Sequence, residues 1–131
     1  MATIFTKIIN GEIPCYKIAE DDRYFAFLDI SPMTKGHTLV VPKIEDDYIF
    51  NLDEDTYEGL MLFAKRVAHA VEAAIPCKRV GVAVLGMEVP HVHVHLIPLN
   101  SEKDMIFSNP KLKLDASEME KIASEIASNF K

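Results

Sequence analysis

The sequence predicts a single α+β domain: an antiparallel sheet of about five strands, with one long helix packed on it and a C-terminal helix. Five short apolar segments have strand character, and most follow one another without an intervening helix, which favours antiparallel pairing. One long segment carries apolar residues at helical spacing. The 131 residues contain no repeat or linker, and a chain of this length can bury one core of its own.

The predicted strands are residues 15–20, 23–29, 37–42, 79–85 and 91–97. The first two are separated by Asp21-Asp22, a pair that suits the tight turn of a hairpin. The third is rich in β-branched side chains. Ahead of them, the apolar residues 3–9 stop at a turn signal and are expected to form one or two helical turns.

Two longer helices are expected, both on one side of the sheet. The first covers residues 53–75, where Asp53 suits the N-cap and Pro76 ends the helix. Its apolar face is formed by Tyr57, Leu60, Met61, Ala64, Val67, Ala68, Val71 and Ile75. The second covers residues 115–129, where Asp115 and Glu118 have the spacing of a capping box. Its narrow stripe of Ile122, Ile126 and Phe130 is expected to pack on the domain or on a partner.

Charge and hydropathy limit the classes of function. The net charge is −6 and the basic residues are scattered among acidic ones, so the chain lacks the basic footprint that binding to nucleic acid requires. No apolar run approaches the roughly 20 residues of a membrane span, and the N-terminus lacks the order of a signal peptide. We therefore expect a cytoplasmic protein whose two cysteines, Cys15 and Cys77, are reduced thiols.

Three histidines alternate with apolar residues in the fifth predicted strand. Side chains alternate between the two faces of a strand, so His91, His93 and His95 are expected to share one face. Val92, Val94 and Leu96 then share the core face. Three titratable rings in a row on one face are difficult to explain as mere solvation of a sheet, and this pattern predicts a chemical role.

Two kinds of chemistry fit this pattern. At a rise of about 3.3 Å per residue, the Cα atoms of His91 and His95 lie roughly 13 Å apart, so a metal ion would use two of the histidines and a remote ligand. The alternative is nucleophilic catalysis, because neutral imidazole attacks phosphorus readily and a flanking histidine can fix its tautomer. Three rings in line suit in-line phosphoryl or nucleotidyl transfer.

The segment His91-Val92-His93-Val94-His95-Leu96-Ile97-Pro98 resembles the motif of the histidine-triad (HIT) superfamily of nucleotide hydrolases and transferases. The resemblance extends through Ile4 to Pro14, Phe27 to Pro32 and Gly36 to Lys43. It covers roughly residues 4–98, in order, and leaves residues 99–131 as a C-terminal extension of one HIT domain. The chain looks closest to the bacterial phosphoramidase-like, or Hint-type, branch.

This resemblance implies roles for four histidines. His93 would be the nucleophile that attacks the α-phosphorus and becomes transiently nucleotidylated. His95 would lie beside the leaving group and the phosphate oxygens, and His91 would orient His93. His37, from the third strand, would complete the cluster. Thr6 stands where some relatives carry a zinc-binding cysteine, so no structural metal is expected.

The resemblance also implies the substrate. Asp29 would bind the ribose hydroxyls and Ile30 would pack against the base. The implied activity is hydrolysis or transfer at the α-phosphate of a purine nucleoside phosphoramidate or a related conjugate, such as a dinucleoside polyphosphate, releasing a nucleoside monophosphate. No cofactor is required, although a divalent cation could accompany a polyphosphate. The family is usually homodimeric. The alternatives are a non-catalytic purine-nucleotide sensor and a histidine-ligated metalloprotein.

The segment before the triad departs from the family pattern. Residues 84–90 are shorter than the usual Gly-rich loop and contain none of the Asn, Gln or Ser side chains that contact phosphate in relatives. Glu88 instead places a negative charge near the expected position of the phosphate, which is unfavourable unless its side chain points away.

Overall fold

The computed structural model describes residues 2–131, and it contains one five-stranded antiparallel sheet. In chain order, the elements are α1 (Ile4–Ile9), β1 (Lys17–Glu20), β2 (Tyr24–Leu28), β3 (Thr38–Pro42), α2 (Glu54–Ala74), β4 (Arg79–Ala83), β5 (Val94–Leu99) and α3 (Ala116–Ser128). Short 3-10 turns lie at Ile49–Asn51 and Glu102–Met105. The strand order is β1-β2-β3-β5-β4, which confirms the predicted α+β class.

The main core lies between the sheet and the helices α2 and α3. Helix α2 begins after Asp53, whose carboxylate accepts the Thr56 N–H at 2.7 Å. Its buried face includes Phe63 and Ala70, whereas Tyr57 is 38% exposed. The predicted apolar stripe is therefore rotated, because Phe63 rather than Tyr57 packs against Tyr24 of β2, with ring centroids 5.7 Å apart.

The C-terminal helix packs on the domain itself. Asp115 caps its first turn by accepting the Glu118 N–H at 2.8 Å, which is one of the two bonds of the predicted capping box. Ile122 and Ile126 are buried in the main core, and Phe130 packs on the ring of Phe63 with centroids 5.5 Å apart. The C-terminal helix thus contributes to the same core as α2 and the sheet.

Helix α1 lies on the other face of the sheet, whereas the two longer helices α2 and α3 share one side as expected. The five residues of β2 are all buried, as are those of β3. A strand that is apolar on both faces needs cover on both, and Phe5 of α1 supplies it by packing on the face that holds Phe27 and Leu39. The bounds of α1 agree with the predicted helical turns.

The fifth strand begins three residues later than predicted. β5 starts at Val94, which is paired with Val40 of β3. Ahead of this point the Val92 N–H donates to the Asp46 carbonyl at 2.7 Å rather than to the sheet. Strand β4 correspondingly ends at Ala83, two residues early, because Ala83 is the last residue with a partner on β5.

Within residues 2–131, none of the helices is long and apolar enough to cross a membrane. The cytoplasmic location stays a prediction.

Candidate active site

The alternation of the triad is retained even though two of its histidines precede β5. Val92, Val94 and Leu96 are buried in the main core beneath α2. His93 and His95 line a cleft of about 450 Å³ on the opposite side. The extended chain from 91 to 95 therefore separates the imidazoles from the core as predicted.

The hydrogen bonds of His93 leave one ring nitrogen for the cleft. Its Nδ1 lies 2.7 Å from the carbonyl oxygen of His91. A carbonyl can only accept, so Nδ1 carries the proton, and in the neutral ring the lone pair is on Nε2. The ring edge of Phe5 packs on His93 with centroids 5.1 Å apart and limits its rotation. The nitrogen of His93 that is left for a ligand in the cleft is therefore Nε2.

His91 is fully buried and lies behind His93. Its Nε2 donates to the Pro42 carbonyl at 2.7 Å, so its Nδ1 accepts from the Thr3 hydroxyl, also at 2.7 Å. Burial lowers the pKa of this imidazole, which keeps it neutral. His91 therefore contacts the ring of His93 through its backbone carbonyl, and its own side chain does not line the cleft.

His37 and His95 form a directed pair. The Met33 N–H donates to His37 Nδ1 at 3.0 Å, which places the His37 proton on Nε2. That nitrogen lies 3.0 Å from Nδ1 of His95 and donates to it. Burial lowers the pKa of His37 to about 3, and burial together with His93 lowers that of His95 to about 4, so both rings are neutral at pH 7. His95 consequently carries its proton on Nε2.

The predicted nucleoside-binding residues lie at the same cleft. Asp29 follows β2, and its Oδ1 accepts the Ser31 N–H at 2.8 Å while its Oδ2 lies 3.6 Å from His37 Nε2. Burial raises the pKa of this carboxyl, and the Ser31 N–H opposes the change. Ile30 lines the cleft, and 76% of its surface is exposed.

The sequence did not predict two further residues at the cleft. Phe107 packs edge-on against His95, with ring centroids 5.1 Å apart. Lys111 also lines the cleft. Both belong to the irregular stretch after β5, where no periodicity or motif signals a site. The loop before the triad contributes as well, and Glu88 is among its lining residues.

The metal alternative can be examined at one cluster, which consists of Asp29, His37 and His95. One ligand atom from each lies within 4.8 Å of the others, close to the spacing that a metal ion requires. However, the Met33 N–H directs the His37 proton to Nε2, the nitrogen that would have to bind the ion. Neutral imidazole offers a lone pair on one nitrogen only. The donor set therefore fits a hydrogen-bonded relay better than a metal centre.

The remaining histidine and the cysteines take no part in the cluster. His69 is on the exposed side of α2 beside Glu72, outside the apolar stripe. Cys15 and Cys77 are free thiols. Cys15 lines the apolar end of the cleft, and burial raises its pKa, which makes it a poor nucleophile.

A line of buried histidines beside a carboxylate, on a five-stranded antiparallel sheet, is the arrangement expected of a histidine-triad protein. Comparison with known proteins agrees with this class. The family model described as HIT domain matches residues 10–102, and the chain belongs to that family.

Among curated proteins, the adenosine 5'-monophosphoramidase of Schizosaccharomyces pombe is 34% identical over the full length of both chains. The adenylylsulfatase of Arabidopsis thaliana is 28% identical, covering 95% of this chain and 66% of that protein. Among solved structures, a Hit-like protein of Bartonella henselae described as involved in cell-cycle regulation superposes with a TM-score of 0.82 at 28% identity, covering 98% of this chain and 96% of its own.

Proposed function

We propose that this protein is a nucleotide hydrolase that acts at the α-phosphate of purine nucleoside phosphoramidates or related conjugates through a nucleotidyl-His93 intermediate. The observation that carries the proposal is the tautomer of His93. Because Nδ1–H donates to the His91 carbonyl, the lone pair on Nε2 is held toward a cleft that also contains Asp29. The names of two relatives, an adenosine monophosphoramidase and an adenylylsulfatase, support this class of substrate.

In the first step, a bond forms between His93 Nε2 and the α-phosphorus, and the bond to the leaving amine breaks. The amine takes its proton from water. The imidazole becomes positively charged, and the His91 carbonyl stabilises that charge through the Nδ1–H. In the second step, water attacks phosphorus, His93 leaves as the neutral ring, and the nucleoside monophosphate departs with the water's hydroxyl while the proton goes to solvent.

The other histidines have positioning and charge-stabilising roles in this scheme. His95 carries a proton on Nε2, and His37 fixes that tautomer by donating to Nδ1. The Nε2–H of His95 can donate a hydrogen bond to a phosphoryl oxygen or to the leaving group without losing its proton. The hydrogen bond from His37 to His95 and the one from His93 to the His91 carbonyl are both formed before substrate binds, so no tautomeric change is needed.

The substrate is oriented by the two residues at the end of β2. We assign Asp29 to the ribose hydroxyls, because a carboxylate can accept from both of them. Ile30 packs against the base in this assignment, which suits its exposure at the cleft. A divalent cation would be needed only to accompany a polyphosphate substrate.

The decisive experiment follows adenosine 5'-phosphoramidate in the presence of wild-type protein and His93→Ala. We expect the wild type to release AMP and His93→Ala to lose at least about a thousandfold in turnover, as nucleophile removal does in covalent catalysis. Circular dichroism should show an unchanged fold. Tight AMP binding without turnover by the wild type would favour the sensor alternative, and an undiminished rate in His93→Ala would exclude the covalent route.

We also propose a homodimer, as is usual in this family. β4 is an edge strand of the sheet, and unpaired strand edges favour pairing with another chain. Val82 on this edge is 53% exposed and Leu85 just beyond it is 49% exposed. Sedimentation equilibrium should give twice the chain mass, and Val82→Lys should shift the protein toward the monomer; a monomeric wild type would contradict the proposal.

A further inference from the structure

The segment of residues 106–112, which follows the triad by more than ten residues, forms one wall of the cleft. The Leu112 N–H donates to the carbonyl of Pro32 at 2.8 Å. Pro32 lies in the loop whose Met33 N–H sets the tautomer of His37. Phe107 in turn packs on His95. The segment is therefore attached to the histidine relay at two points.

The charges around the cleft are unbalanced for an anionic ligand. Asp29 and Glu88 contribute two carboxyl groups to the lining, while His37 and His95 are neutral at pH 7. Among the described residues that line the cleft, Lys111 is the one permanent cation. A nucleotide phosphate bears negative charge, and the loop before the triad lacks the usual amide and hydroxyl donors. The site thus needs a cation that its family motif does not provide.

The ammonium group of Lys111 is held by two backbone carbonyls and keeps one N–H donor for a ligand. Its Nζ donates to the carbonyl of Asn109 at 3.0 Å and also to that of Phe107. An ammonium group has three N–H donors, so one is left over after these two bonds. The two carbonyls hold the ammonium group of Lys111 in position, which lowers the entropy cost of binding a ligand.

We propose that Lys111 is a phosphate-binding residue of this site, supplying from the C-terminal segment the charge that the loop at 84–90 does not supply. The proposal rests on the proposed function, since it assigns a contact within the same nucleotide cleft. Phe107 is a positioning residue in this arrangement: it packs on His95 and carries a carbonyl that orients Lys111.

The test compares binding of AMP and adenosine by calorimetry at low salt, because turnover is then not needed. Lys111→Met should weaken AMP binding roughly fivefold, the size expected for one solvent-exposed charge contact. Adenosine binding should not change, since it lacks the phosphate. The matched control is Lys113→Met, which removes an exposed lysine that does not line the cleft. Lys111→Arg should retain AMP binding.

The outcomes separate this inference from the proposed function. Equal AMP affinity in Lys111→Met and Lys113→Met would overturn the phosphate contact while leaving the nucleotide site intact. An equal loss of AMP and adenosine binding would show that Lys111 only supports the shape of the cleft, and would also overturn it. A wild-type protein that binds neither ligand would contradict the proposed function, and the inference with it.

Discussion

His37 Nε2 donates to His95 Nδ1 across 3.0 Å, and this hydrogen bond sets the protonation of the cleft. It can form only while His95 Nδ1 is unprotonated, because a proton there would place two N–H groups against each other. Protonation of His37 at Nδ1 is opposed separately by the Met33 N–H. Burial supplies the neutrality by lowering the pKa of each ring. The fold therefore fixes one tautomer of each ring, whereas isolated neutral imidazoles exchange between two.

The first prediction concerns stability in acid. His37 has an ordinary pKa near 6.5 when unfolded and about 3 in the folded protein. The unfolded chain binds the proton more readily, so the contribution of His37 is fully present above pH 6.5 and is lost as the pH falls toward 3. Within that window, each pH unit should cost about 1.4 kcal/mol for this group. Urea unfolding at a series of pH values measures the slope.

Two variants separate His37 from other acid-sensitive groups. His37→Asn removes one titrating ring and should reduce the slope between pH 6.5 and 3 by about 1.4 kcal/mol per pH unit, leaving the slope that His95 and His91 contribute. His69→Asn removes an exposed histidine on α2 and should leave the slope as in the wild type. If His37→Asn shows the wild-type slope, the ring is not held neutral by the fold.

A second prediction concerns Asp29 and the ribose. Asp29→Asn retains an oxygen for the Ser31 N–H but loses the charge. Hydrogen bonds to a charged group contribute about 1.5–3 kcal/mol, so KM for adenosine 5'-phosphoramidate should rise roughly tenfold or more. The 2',3'-dideoxy substrate lacks both hydroxyls, and the variant should handle it as well as the wild type does. If the variant raises KM for both substrates equally, Asp29 does not contact the ribose.

The sequence predicted most of this site, and the reasons are local. Alternation along the chain puts His93 and His95 on one side regardless of where β5 begins, because extended backbone retains a period of two. The antiparallel register opposes Leu39 to His95, which brings His37 near the triad once β3 and β5 pair.

The parts that were missed depend on distant contacts. Lys111 and Phe107 lie in an irregular segment whose place at the cleft is set by the bond from Leu112 to Pro32, and nothing in their spacing encodes that bond. The start of β5 was misplaced for a similar reason, because a loop carbonyl at Asp46 competes with the sheet for the Val92 N–H. Helix α1 was assigned no face, since six residues carry too little periodicity to define one.

A third prediction concerns Thr3, the N-cap of α1. Its hydroxyl donates to His91 Nδ1 at 2.7 Å and accepts the Thr6 N–H at 3.1 Å. Thr3→Val removes both and leaves a buried ring nitrogen without a donor, which should destabilise the protein by about 1–3 kcal/mol. Turnover should fall while KM stays constant, because His91 positions His93 and does not reach the cleft.

Thr3→Ser is the matched control, since it keeps the hydroxyl and removes only a methyl group. It should retain the stability and kcat of the wild type to within a small factor. A Thr3→Val protein with wild-type kcat would show that the orientation of His93 does not depend on this bond. A rise in KM instead would indicate that α1 shapes the cleft directly, as Phe5 of this helix does by packing on His93.

The last prediction concerns metal ions. The proposed reaction uses only imidazole nitrogens and water, and the Met33 N–H opposes ligation by His37 Nε2. Protein treated with EDTA and dialysed should therefore hydrolyse adenosine 5'-phosphoramidate at the rate of the untreated sample. Added Zn²⁺ should inhibit, because an ion on His95 would displace the bond from His37. Loss of activity on chelation with recovery on adding one equivalent of Zn²⁺ would instead identify Asp29, His37 and His95 as a metal centre, and elemental analysis of untagged protein would then show a stoichiometric ion.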